Sequence, residues 1–140
     1  MTTALRILIA AILIAAGGAK LVDPEGFVLV LRSYRFFPVD LVWPVALFAM
    51  ATELLLGLWL LWGRHLYRAA QGAVGLHLCY TAWTAFMLLR DKPILNCGCF
   101  GSHLARPLSW QTLVENLVLV ALAVTLMLRS RPVARRSDAP

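Results

Sequence analysis

Charge is scarce in this chain. Thirteen Lys and Arg with seven Asp and Glu make up only 14% of its 140 residues, where about 25% is usual in a soluble domain. So few charges exclude a disordered chain, which needs them to stay solvated, and a coiled coil, whose flanking positions carry them. Cysteine is nearly absent: Cys97 and Cys99 form one close pair and Cys79 stands alone, so there is no second pair. Strands of alternating polarity, internal repeats and low-complexity tracts are also missing, which excludes a membrane barrel. What the chain has instead is apolar surface, with 61% of residues hydrophobic and a mean hydropathy of +0.77. A soluble core of this size cannot hide that much, because small domains keep much of their area wet. That excludes a typical cytosolic enzyme and makes lipid the main solvent.

A bilayer crossing takes about 20 apolar residues. Four runs meet that requirement, over about 5–22, 39–62, 66–89 and 112–128. Backbone groups in lipid must be paired within their own segment, so these runs are expected to be helices. The first begins with Arg6 and ends in Gly17-Gly18-Ala19-Lys20, a pattern shared with signal peptides. Its length of about 17 residues exceeds the usual apolar region of those peptides and favours a first span over a cleaved leader. Asp23-Pro24 reads as an N-cap followed by the first helical position. Residues 24–35 mix Phe27, Leu31 and Tyr34 with Arg32 and Arg35, which suits a short helix in the interface ended by Pro38. The predicted fold class is therefore all-α, a polytopic four-helix bundle with a short interfacial helix between spans 1 and 2. Residues 1–128 form one membrane domain, and residues 129–140 a basic cytoplasmic tail. Gly17, Gly18, Gly57, Gly72 and Gly75 are expected to let helices approach closely.

The net charge of +6 suggests a nucleic-acid ligand, but the basic residues cap apolar runs or sit in the tail, as topology signals and lipid contacts do. No nucleic-acid partner is expected. Lys and Arg divide seven to six between the two faces. Weighting the tight Arg64–Arg68 turn and the tail Arg129, Arg131, Arg135 and Arg136 places both termini in the cytoplasm. The loop of Cys97 and Cys99 then lies outside, with Arg90, Lys92 and Arg106. The compartment expected is the inner (cytoplasmic) membrane. Trp43 and Trp110 on one side, with Trp59, Trp62 and Tyr67 on the other, read as interfacial belts.

Chemistry is concentrated in Cys97-Gly98-Cys99. Two thiols one residue apart can close a small disulfide ring, and Gly98 relaxes the backbone that closure demands. A strained, exposed disulfide is the more oxidising kind. The alternatives are a static staple, or a metal clip completed by His103. Cys79 lies roughly 15 Å of helix below the loop and reads as a small buried apolar residue. Glu53 follows Asp40, and His77 precedes Arg90, by 13 positions each, roughly 20 Å down each helix. The two are expected to pair at one depth, either as a proton relay or quinone anchor, or as a plain structural contact. Lys20 and Glu115 are expected near the outer helix ends, as an ion pair or with Lys20 lowering a thiol pKa.

The stretch Gly18-Ala19-Lys20-Leu21-Val22-Asp23-Pro24, the segment from Tyr34 to Pro38, Glu53 with Gly57, and Cys97-Gly98-Cys99-Phe100-Gly101 followed by Trp110 resemble the MauE branch of the DoxX-like membrane proteins. The resemblance runs from about Leu5 to Leu128, and the cysteine string is its most specific part. It implies a four-helix membrane protein tied to redox maturation: MauE is linked to biogenesis of methylamine dehydrogenase and accompanies a thioredoxin-like partner. It also implies that Cys97 and Cys99 are the redox pair and that Lys20 and Glu53 occupy family positions. The architecture is similar to the quinone-linked proteins DsbB and vitamin K epoxide reductase, which use two cysteine pairs where this chain has one.

The sequence thus favours a thiol–disulfide exchange protein, an oxidoreductase with Cys97 and Cys99 catalytic and Gly98, Lys20, Glu53, His77 and Glu115 supporting. Its partners would be the lipid bilayer, a thioredoxin-like extracytoplasmic protein and a cysteine-containing client, with a quinone as the electron sink suggested by analogy. Two alternatives stay open: a non-enzymatic assembly factor, and a metal or small-molecule carrier using Cys97, Cys99 and His103.

Overall fold

A computed structural model of the chain describes residues 2–90, 94–102 and 105–131. Lys92, His103, Arg135 and Arg136, all weighed above, lie outside the described residues. The described residues form five helices and no strand: α1 (Thr2–Val22), α2 (Pro24–Ser33), α3 (Val39–Trp62), α4 (Leu66–Leu89) and α5 (Trp110–Arg129). Four of them, all but α2, are long and apolar enough to cross a membrane. At 1.5 Å per residue the 24 residues of α3 and of α4 reach about 36 Å, more than the roughly 30 Å of hydrocarbon.

The helix boundaries have local causes. The Asp23 side chain accepts a hydrogen bond from the Gly26 N–H at 2.9 Å, and Pro24 opens α2 where no N–H is needed. Gly63 ends α3 in the left-handed region, its N–H bonded to the Trp59 carbonyl at 3.2 Å, and His65, also left-handed, starts α4. That three-residue reversal makes α3 and α4 neighbours in the chain, but α3 packs most closely on α1, and α4 on α5. The molecule is built as two helix pairs.

Polarity runs inside out. Leu8, Phe48, Leu55, Leu58, Leu78 and Val118 face outward, while Lys20, Glu53, His77, Thr84, Thr112 and Asn116 are buried. In water this arrangement would be costly in both directions. In lipid, outward apolar side chains cost nothing and polar groups must find partners inside, so the chain is a multi-pass membrane protein. Close packing comes from small residues: Ala10, Ala69, Ala70, Ala73 and Ala123 are fully buried together. Gly17 and Gly57 lie against α1–α3 neighbours, where an added Cβ would meet Leu54 Cγ at 2.9 Å and Ile14 Cγ1 at 2.6 Å, and Gly72 lies against Leu56. Gly18 and Gly75 have nothing within 4 Å, so the expectation for those two is corrected. Gly75 is exposed and Gly18 half-buried, each beside open space.

The end of α2 is tied to α4 by an aromatic cluster that periodicity did not announce. Phe37 stacks on Trp83 with centroids 5.2 Å apart, Phe36 meets Trp83 edge-on at 5.0 Å, and Tyr34 lies 5.6 Å from the same indole. This cluster closes the cysteine end of the bundle.

Candidate functional site

The connection between α4 and α5 folds back on itself. The Cys97 N–H bonds to the Arg106 carbonyl at 2.8 Å and the Leu108 N–H to the Ile94 carbonyl at 2.9 Å, which clamps the two legs of the loop. At its tip the Asn96 side chain accepts from the Gly98 N–H at 2.9 Å, an Asx turn of the kind that replaces regular structure. Gly98 and Gly101 have φ of +68° and +71°, a region side chains other than glycine enter at a cost. There is no room for side chains either: a Cβ at Gly98 would press on Val30 and Phe27, and one at Gly101 would sit 3.0 Å from the Ala19 carbonyl.

The loop is held down by three side chains from other elements. Tyr34 donates its hydroxyl to the Cys97 carbonyl at 2.8 Å, Lys20 Nζ donates to the Cys99 carbonyl at 2.8 Å, and the Ser102 hydroxyl donates to Asp23 at 2.5 Å. Burial, then the neighbouring cysteine sulfurs, hold the Tyr34 phenol well above its ordinary range. It therefore stays protonated and keeps donating to the loop. The cysteines end up half-buried at the mouth of the bundle.

The two sulfurs lie 2.8 Å apart, in direct contact but farther apart than the ~2.05 Å bond of a disulfide. They are not equivalent. The Cys99 thiol donates to Cys97 and pulls its pKa from the ordinary 9.0 to about 6, against the opposing effect of burial; the Cys99 N–H and the Arg106 guanidinium act in the same direction as the thiol. Cys99 moves the other way, held up by donating its proton to Cys97, by burial and by the adjacent negative charge. At neutral pH the reduced pair therefore shares one proton, with the thiolate on Cys97.

Beneath the loop lies the buried polar core. Lys20 Nζ is 2.7 Å from both carboxylate oxygens of Glu53, and the Tyr80 hydroxyl donates to Glu53 Oε1 at 2.7 Å. Lys20 and Glu53 are 3% and 1% exposed, so each depends on the other. This corrects two expectations. Glu53 pairs with Lys20 and Tyr80 rather than His77, because a full positive charge on a long stem is the better partner for a carboxylate in an apolar interior. Lys20 in turn does not reach Glu115, which binds Arg106 in a forked pair at 3.1 and 2.6 Å. That pair is about two-fifths exposed and contributes about 0–1 kcal/mol. A third correction concerns Cys79, which is exposed on the outer face of α4.

His77 is 3% exposed, yet neither ring nitrogen has a hydrogen-bond partner among the described residues. It lines a cavity of about 200 Å³ that reaches up to Cys97 and Cys99. Among the described residues, no three His, Cys, Asp or Glu gather as a metal site. Tyr34, Tyr80 and Asn116 are the site residues that sequence reasoning missed. Tyr80 lies three positions from His77 and so shares its helix face, and Asn116 is a polar residue inside an apolar run, bonded to Thr84 at 3.3 Å. Both signals were available.

A family model described as methylamine utilisation protein MauE matches residues 1–129. The methylamine utilization protein MauE of Paracoccus denitrificans is 36% identical, the match covering 88% of this chain and 66% of that protein. Its counterpart in Paracoccus versutus is 31% identical over 86% of this chain and 65% of that protein. The chain thus spans slightly under two thirds of the length of these relatives. No solved structure matches it.

Proposed function

The chain belongs to the MauE family of methylamine utilisation proteins, and on that premise we propose that it is a membrane thiol–disulfide exchange protein, an oxidoreductase whose catalytic residues are Cys97 and Cys99. The relatives' names suggest its setting, methylamine utilisation, and there it would serve the oxidative maturation of extracytoplasmic proteins. Its partner would be a thioredoxin-like protein outside the cytoplasmic membrane, and its ultimate client a cysteine-containing protein served by that partner. Both termini would lie in the cytoplasm, with the loop on the outer side.

One observation carries the reading: two sulfurs in contact, with opposed acidity, on a loop bonded at three points to the bundle. A pair whose thiolate is stabilised favours its reduced form, so its disulfide is the stronger oxidant. A partner thiolate attacks the Cys99 sulfur of the oxidised pair. The Cys97–Cys99 bond breaks, and Cys97 leaves readily as the thiolate because its pKa is low. The partner's second thiolate then attacks the partner's own sulfur in the mixed disulfide and releases Cys99, which takes a proton. Two electrons have passed to this chain, and the partner holds a disulfide. Lys20 and Tyr34 act as positioning residues by holding the carbonyls on either side of Gly98.

The test replaces Cys97 and Cys99 singly by Ser and follows disulfide formation in the client in cells, with a membrane-impermeant maleimide used to find the loop's side. Client oxidation is expected to fall at least ten-fold in both variants, with labelling from outside. Unchanged oxidation in both variants overturns the redox role, and that result would favour an assembly factor.

A further inference from the structure

Every helix contributes to the wall of the cavity under the cysteine loop, and the surface that wall presents is mostly apolar. Most of the polar side chains set in it are already engaged. Tyr34 donates to the Cys97 carbonyl, Tyr80 to Glu53, Asn116 to Thr84 and the Thr112 carbonyl, and Lys20 spends its protons on Glu53 and Cys99. His77 is the exception among the described wall residues, with both nitrogens buried and unpartnered. Leaving such a group without a partner in an apolar interior forfeits its hydrogen bonds to water with nothing in return, so something that brings one polar atom to an apolar space belongs there.

The cavity lies between the two helix pairs. Its side walls include Val45 and Ala49 of α3 and Tyr80 and Trp83 of α4, all half-buried, and α3 and α4 pack far less closely than α1 on α3 or α4 on α5. That is the place where a molecule dissolved in the bilayer could enter sideways. The same space is bounded above by both cysteines.

We propose that this cavity binds the ring of a lipid-soluble quinone, with His77 hydrogen-bonded to a ring carbonyl and the ring within reach of the Cys97–Cys99 pair. A quinone matches each wall: a flat apolar body for the aromatic and aliphatic lining, and a carbonyl acceptor for the imidazole N–H. A neutral imidazole also has an acceptor nitrogen for the hydroxyl of the reduced ring, so His77 can hold both redox states. The electron balance closes. The reduced pair gives up two electrons as its S–S bond forms, and Cys99 releases its proton. The ring takes the two electrons and two protons, one from Cys99 and one from water, and leaves as hydroquinone. This redox step rests on the thiol–disulfide reading; binding of the ring does not.

Binding is therefore measured apart from turnover. Purified protein in detergent is titrated with decylubiquinone and with a short-chain naphthoquinone, using decyl alcohol as a tail-only control and equilibrium dialysis as the readout. Saturable binding of at least one quinone is expected, preserved when Cys97 and Cys99 are both Ser. His77→Leu is expected to weaken it at least ten-fold, His77→Gln to restore part of it, and Ala49→Phe, which fills the opposite wall, to abolish it in protein with unchanged helical content. No saturable binding to the unaltered chain, equal binding of decyl alcohol, or full affinity in both His77→Leu and Ala49→Phe overturns the proposal. Binding without quinone-driven oxidation of the dithiol leaves the cavity assignment standing and refutes the redox step.

Discussion

Cys97 and Cys99 differ by their surroundings alone, since both are thiols on one short loop. The asymmetry has a measurable consequence. Alkylation of the reduced protein by a small neutral reagent should follow the Cys97 thiolate, rising with pH through a midpoint near 6 and falling away below it, because the depressed pKa leaves the thiolate present only above that value. Cys99→Ala removes the first cause, the donated S–H, and the midpoint should climb back toward the ordinary thiol value near 9.0. A midpoint already near 9 in the unaltered chain would refute the asymmetry. The pair itself was legible because its members are one residue apart. Its asymmetry was not, because the buried positions and the Arg106 neighbour arise only when residues 94–102 and 105–109 come together. His77 shows the same limit: its type and depth could be read, but not its lack of a partner.

Helices are read most directly from sequence, since lipid forces each apolar run to satisfy its own backbone. All four spans and the Asp23-Pro24 start of α2 followed from length, hydropathy and capping. What periodicity could not say is which small residue faces a neighbour. Gly57 does, with Ile14 and the Ala10 carbonyl against it, and Gly75 does not. Gly57→Ala must push α1 from α3 and should lower stability by about 1–3 kcal/mol. Gly75→Ala meets no atom and should leave stability unchanged or raise it by up to about 1 kcal/mol. Thermal unfolding in detergent distinguishes the two, and equal losses would mean that Gly57 is not a contact. The aromatic cluster of Tyr34, Phe36, Phe37 and Trp83 was hidden for a related reason: its members lie on two segments whose packing no local rule specifies.

Across the whole molecule, Lys20 and Glu53 join α1 and α3 and, through Tyr80 and the Cys99 carbonyl, reach α4 and the cysteine loop. Removing one member leaves the other charge buried alone. Lys20→Met and Glu53→Gln should each cost about 3–5 kcal/mol, and Lys20→Met with Glu53→Leu together should cost less than either single change. Denaturation in detergent checks this, and additive losses in the double variant would count against a buried pair. Composition and hydropathy by themselves determined that this chain lives in lipid, crosses it with four helices and carries one vicinal pair of thiols. Those properties depend on segments taken one at a time, each meeting the solvent's demand on its own backbone and side chains. The tertiary structure alone decided that Lys20 answers Glu53, that Arg106 rather than Lys20 answers Glu115, and that an unpartnered imidazole faces a cavity beneath two sulfurs. Such pairings join residues far apart in the chain, and they follow from how whole helices settle against one another to satisfy buried charge.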